Sequence, residues 1–101
     1  SYINSTLYIN TDKKYLAVKK TALTFLNNEW VVFVPKQEVH EEKAKSSKEP
    51  QYEARDVKIV NQDDSYVAIE GLNINEEYVS DKTYYVKSLV LKSSMGDGHG
   101  H

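Results

Sequence analysis

Tyr52-Glu-Ala-Arg-Asp-Val-Lys-Ile-Val60, Asn61-Gln-Asp-Asp-Ser65, Tyr66-Val-Ala-Ile-Glu-Gly-Leu72 and Asn73-Ile-Asn-Glu-Glu-Tyr-Val-Ser80 follow one another without interruption. The first and third pieces alternate in the period-2 manner of half-buried strands, and the second is a polar turn between them. Ala54, Val57 and Ile59 are the apolar points of the strand expected over Tyr52–Val60; Val67 and Ile69 share one face of the strand over Tyr66–Glu70. A Gly-Leu pair then leads into a short strand over Glu76–Ser80. These 29 residues point to antiparallel β structure.

The same signals extend outward. Trp30-Val-Val-Phe-Val34 is a continuous apolar run, which predicts a strand buried on both faces and places Trp30 and Phe33 in the core. Asn27-Asn28 precedes it. Asn tolerates left-handed backbone angles, so the pair predicts a tight hairpin, and Ala22–Leu26 before it reads as an irregular turn. Tyr15–Val18 reads as a strand, and residues 1–10 alternate loosely enough for one more. The eight tyrosines favour sheet, with an apolar ring inside and a wet hydroxyl outside. Gln37–Gln51 is charged and lacks large apolar residues, so it predicts a mobile hairpin loop.

Asp81–Ser94 changes period. Val86, Leu89 and Val90 fall at i, i+3 and i+4, which predicts a short C-terminal helix, capped by Ser80 or Asp81 and stopped at Gly96. Met95–His101 reads as an unstructured Gly/His tail. The expected fold is mainly β: a small barrel or roll of about six strands with one terminal helix.

Composition narrows the function. A chain of 101 residues supports one domain. The net charge is -2, and Arg55 is the only arginine, so no basic field draws nucleic acid. With no cysteine, disulfides, thiolate metal sites and a cysteine nucleophile are excluded. No apolar run approaches the ~18 residues of a membrane span. Neither a Gly-x-Ser-x-Gly elbow, nor a His-Glu-x-x-His helix, nor a phosphate-binding glycine loop occurs. Asp63-Asp64 and Glu76-Glu77 fall in turns, where carboxylates face solvent. The chain is not expected to be an enzyme.

Two groups of side chains suit a metal. His99 and His101 carry imidazoles that ligate zinc, copper or nickel when neutral, with Asp97 and Met95 as further donors and glycines between them. Two histidines fall short of the four ligands of a structural zinc site, so binding there is expected to be weak, and a solvated tail is the competing account. His40 beside Glu41 and Glu42 is a second candidate, with a solvated loop as its competitor. Arg55 lies between Glu53 and Asp56, and alternation sets Glu53 and Arg55 on one face. A surface pair worth under ~1 kcal/mol accounts for them, as does contact with a partner.

Several segments, in order, resemble the final domain of bacterial periplasmic adaptor proteins (membrane fusion proteins). That family carries Leu-x-Val-Pro-x-x-Ala-Leu, matched here by Leu16-Ala-Val-Lys-Lys-Thr-Ala-Leu23 with Lys19 at the proline. Its hairpin Asn-Gly-x-x-Val-Phe-Val is matched by Asn27 to Val34, with Asn28 at the glycine. Its Tyr/Phe-Glu-Pro-Arg-x-Val is matched by Tyr52 to Val57, with Ala54 at the proline. Its Gly-Leu-x-x-Gly-Glu-x-Val-Val-x-x-Gly is matched from Gly71 to Asp81, with Asn75 and Asp81 at the later glycines. Asn and Asp are the residues that most readily replace glycine at positive φ. The end of the chain, Tyr84 to His101, is similar to that of adaptors from heavy-metal efflux systems of the resistance-nodulation-division (RND) class.

The resemblance implies a membrane-proximal docking domain over residues 16–94, a preceding barrel domain contributing residues 1–15 as its last strand, and a flexible tail over 95–101. It implies a periplasmic location on the inner membrane. The implied partners are an inner-membrane RND pump and, through the full-length adaptor, an outer-membrane channel, with self-association of the parent. It implies no required cofactor. The alternative is a stand-alone periplasmic metal-binding β domain, a chaperone or sequestering module.

Overall fold

The computed structural model describes residues 3–9, 15–36 and 51–98. Nine strands and one helix lie within them: β1 (Ile3–Ser5), β2 (Leu7–Ile9), β3 (Tyr15–Lys19), β4 (Thr24–Leu26), β5 (Glu29–Pro35), β6 (Tyr52–Asp56), β7 (Lys58–Gln62), β8 (Tyr66–Glu70), β9 (Glu77–Val79) and α1 (Thr83–Gly98). The fold is mainly β with a C-terminal helix, as the alternation predicts. The sheets do not close into a barrel. They are a pair β1-β9, a four-stranded sheet β2-β3-β8-β7 and a three-stranded sheet β4-β5-β6, and every pairing is antiparallel.

β5 is the shared wall. Val32 and Val34 face one core with Leu16, Val18, Val67, Ile69 and Tyr78. Val31 and Phe33 face a second core with Tyr52, Val79 and Val86, closed by Leu89 and Val90 of the helix. This is the physical content of the apolar run: both faces of β5 are covered, so it has no polar face. β9 divides in the same way, with Tyr78 in the first core and Val79 in the second.

Three expected elements are each broken where the chain changes sheets. The single strand expected over residues 1–10 is interrupted at Thr6, so β1 joins β9 while β2 joins β3. The strand expected over Tyr52–Val60 is interrupted at Val57, whose amide donates to the Trp30 carbonyl at 3.0 Å. β6 stays with β5, and β7 turns to β8. Ala22–Leu26 is a 3-10 turn over Lys20–Ala22 followed by strand β4, rather than one irregular turn.

The turns use positive φ sparingly. Asn27 (φ 54°) and Asn28 (φ 68°) form the tight connection from β4 to β5. Gly71 has φ 128°, and a Cβ there would stand 2.6 Å from the Asp56 carbonyl oxygen, so only glycine fits. Between β7 and β8 the Asp63 carboxylate accepts the Tyr66 amide at 2.9 Å and the Ser65 amide at 3.0 Å. Those two bonds hold its pKa below the usual carboxylate value.

Helix α1 starts after Lys82 (φ 55°), whose carbonyl accepts from Tyr85 and Val86. Asp81 bonds the adjacent Lys82 amide rather than the first helical turn, and the Ser80 hydroxyl accepts from Asn4. The helix passes Gly96 and reaches Gly98. One glycine costs a helix about 1 kcal/mol relative to alanine, which weakens it without ending it.

Candidate functional site

Arg55 organises the most structured polar surface. It sits on β6 in register with Val32 of β5, and β-alternation sets it on the same face as Glu53. Its Nη2 lies 3.1 Å from Glu53 Oε2 and 3.1 Å from Glu76 Oε2, and its Nη1 donates to Glu76 Oε1 at 3.3 Å. Arg55 thus meets Glu76 with both terminal nitrogens, the fork geometry that suits guanidinium to carboxylate. The Glu53 hydrogen bond does most to raise its pKa; burial opposes it, and the Glu76 hydrogen bond and the two carboxylate charges add to the rise.

Glu76 belongs to the turn before β9. Its Oε1 also accepts the Asn73 backbone amide at 2.9 Å and the Asn73 side-chain amide at 3.3 Å. Asn75, within the turn, has φ 66°. Arg55, Glu53, Glu76, Glu77, Asn75 and Lys36 line an open groove of about 810 Å³. Three carboxylates and two cations share it, so it suits a charged, polar contact rather than an apolar ligand.

Opposite chemistry marks the β4–β5 hairpin. Phe25 and Trp30 face each other across the two strands, edge to face, with ring centroids 5.0 Å apart. Trp30 is 42% exposed and Phe25 51% exposed. Trp30 is therefore not core, contrary to the reading of the apolar run. It stands at the start of β5 opposite the edge strand β4, ahead of the four residues that two cores cover. Phe33 is fully buried, as expected.

A second groove, of about 720 Å³, runs beside Lys19, Lys20, Thr21, Ser65, Tyr66 and Asp81. The Thr21 hydroxyl donates to the Ser80 carbonyl, and Thr83 Oγ1 donates to the Thr21 carbonyl at 2.9 Å. These bonds tie the 3-10 turn to the start of the helix. Just beneath, the Tyr78 hydroxyl accepts the Lys19 amide at 2.9 Å. Burial raises the pKa of that phenol, and the Lys19 bond offsets part of the effect.

The metal candidates lie elsewhere. Met95 and Asp97 fall on the backbone of the last helical turns, while His40, His99 and His101 fall outside the described residues. Among the described residues, no three His, Cys, Asp or Glu side chains come together as a metal site. No described helix is long and apolar enough to cross a membrane. The pairing of Glu53 with Arg55 was legible from alternation. The partner Glu76 was not, because it comes from a turn 21 residues on. No family model, curated protein or solved structure matches the chain.

Proposed function

We propose that this chain is the non-catalytic docking domain of a periplasmic adaptor for an RND-class metal pump. One observation carries the reading. Asn28 and Asn75, which stand where the resembling family has glycine, adopt φ of 68° and 66°. These are the left-handed angles that glycine would supply, so the backbone requirement matches even where the residue does not. Gly71, at the family's Gly-Leu pair, sits where no Cβ fits. The final correspondence is displaced by one residue: Lys82, not Asp81, takes the positive φ.

In this reading the domain lies above the inner membrane and contacts the pump's periplasmic face. Residues 1–15 arrive from a preceding barrel domain, and β1 and β2 form the junction. The full-length adaptor self-associates and reaches the outer-membrane channel. Heavy-metal cations are the cargo, with weak binding of zinc, copper or nickel at His99 and His101 as an accessory. Arg55 in its polar groove and the exposed Phe25–Trp30 pair offer an arginine and an aromatic contact, residue types enriched in interface anchors.

The chain exported alone to the periplasm of a metal-resistant bacterium should act as a decoy and lower resistance. Undiminished resistance at high expression would count against docking. A titration with zinc, copper and nickel separates the alternative: a sequestering module binds tighter than micromolar, whereas the docking domain does not.

A further inference from the structure

We propose that Thr6 is a positioning residue that couples the β1–β2 segment to the ion pair of Arg55. Thr6 is fully buried at the break between the two strands. Its amide donates to the Glu76 carbonyl at 3.0 Å. Its hydroxyl donates to the Asn73 carbonyl at 2.8 Å and accepts the Glu76 amide at 3.2 Å. One residue therefore holds both ends of the Asn73–Glu76 turn, from 67 to 70 residues away in sequence.

The carboxylate of the same Glu76 meets Arg55. Thr6 fixes the backbone of Glu76, and the Glu76 side chain, braced by Asn73, meets the guanidinium. The path from residue 6 to residue 55 is thus a continuous run of hydrogen bonds through one short turn. A hydroxyl is needed at position 6, because only a group that both donates and accepts serves Asn73 and Glu76 together. Valine has the same shape and does neither. Displacement of β1–β2 breaks three of these bonds at once and leaves the turn held only by its own bonds, the Glu76 amide to the Asn73 carbonyl at 3.0 Å and the Asn73 amides to the Glu76 carboxylate, which loosens Glu76 against Arg55. Arg55, in a groove that also holds Lys36, is then open to an acidic group outside the chain. This coupling does not depend on the docking reading.

The test is side-chain and amide hydrogen exchange on the whole chain by NMR. Thr6→Val should speed exchange of the Arg55 Nη1 proton bonded to Glu76 by on the order of tenfold, and Thr6→Ser should restore it. Val67→Ala, which weakens the first core rather than the second one that Ile3 of β1 packs against, should leave that proton's exchange unchanged. Should Thr6→Val fail to fold, Arg55→Gln reads the coupling from the other end. Coupling is reciprocal, so the Thr6 and Glu76 amides should then lose protection several-fold relative to Val86. An unchanged Arg55 proton in a folded Thr6→Val variant would overturn the proposal. So would unchanged Thr6 and Glu76 amides in Arg55→Gln.

Discussion

Arg55 grips Glu76 through both terminal nitrogens, at 3.1 and 3.3 Å, so β6, an edge strand of the three-stranded sheet, is tied to the turn that starts β9. The pair is partly exposed, with 32% of the Arg55 and 21% of the Glu76 side chain open to solvent. Its role is therefore geometric before it is energetic. Arg55→Lys should lower stability by under about 1 kcal/mol, and the difference should shrink at high salt. Urea unfolding at two ionic strengths measures it. A loss above about 2 kcal/mol, insensitive to salt, would mean the groove is more buried than described.

The two aromatic residues of β5 should separate cleanly. Phe33 has no exposed surface and fills the second core, so Phe33→Ala should cost about 3–5 kcal/mol. Trp30 keeps much of its ring in water and pairs with Phe25, so Trp30→Ala should cost about 1 kcal/mol. Denaturant unfolding of the two variants checks the ordering, and equal losses would contradict the two-core arrangement.

Gly71 packs against the crossing at Val57, where the chain passes from one sheet to another. A methyl group there would meet the Asp56 carbonyl oxygen at 2.6 Å, with Val57 Cα at 3.2 Å behind it. Positive φ adds strain of about 1–3 kcal/mol for a non-glycine residue. Gly71→Ala should therefore destabilise by at least about 2 kcal/mol, seen as a lower urea midpoint. Asn28→Gly, at a φ that glycine takes freely, should be neutral or stabilising.

Tyr78 sets an alkaline limit. Burial raises its pKa above the ordinary phenol value of 10.0. Below that value the folded and unfolded states are both protonated here, and its contribution is fully present. As pH rises from about 10 through the higher folded pKa, the unfolded chain ionises first and stability falls. Tyr78 should thus give a late step in an ultraviolet pH titration, and Tyr78→Phe should remove it. A titration curve that Tyr78→Phe leaves without a lost late step would contradict it.

What the sequence makes legible is local. The β5 run, the Asn27-Asn28 hairpin, β8, β9 and the presence of the helix follow from period and turn chemistry within a dozen residues, while the helix start at Thr83, past the expected caps, does not. What it hides depends on distant partners. Thr6 reads as one polar residue in a loose alternation, and its burial comes from a turn near residue 75. Val57 reads as a strand residue, yet it is the crossing point because Gly71 and Trp30 meet it. The open sheets, in place of a barrel, follow from such crossings. Trp30 looked like core because its neighbours are, but burial is set by what covers a face, and the hairpin end leaves its ring exposed. In the groove, Glu53 and Arg55 were foreseeable from β alternation, and Glu76 was not.

The most direct test of the docking account is binding of the purified chain to a detergent-solubilised RND-class metal pump, with hydrogen exchange mapping the contact. The account predicts saturable binding that persists with a chelator present, and added protection within β6 and the Asn73–Glu76 turn or the β4–β5 hairpin. No binding at high micromolar chain, or binding that a chelator abolishes, would contradict it.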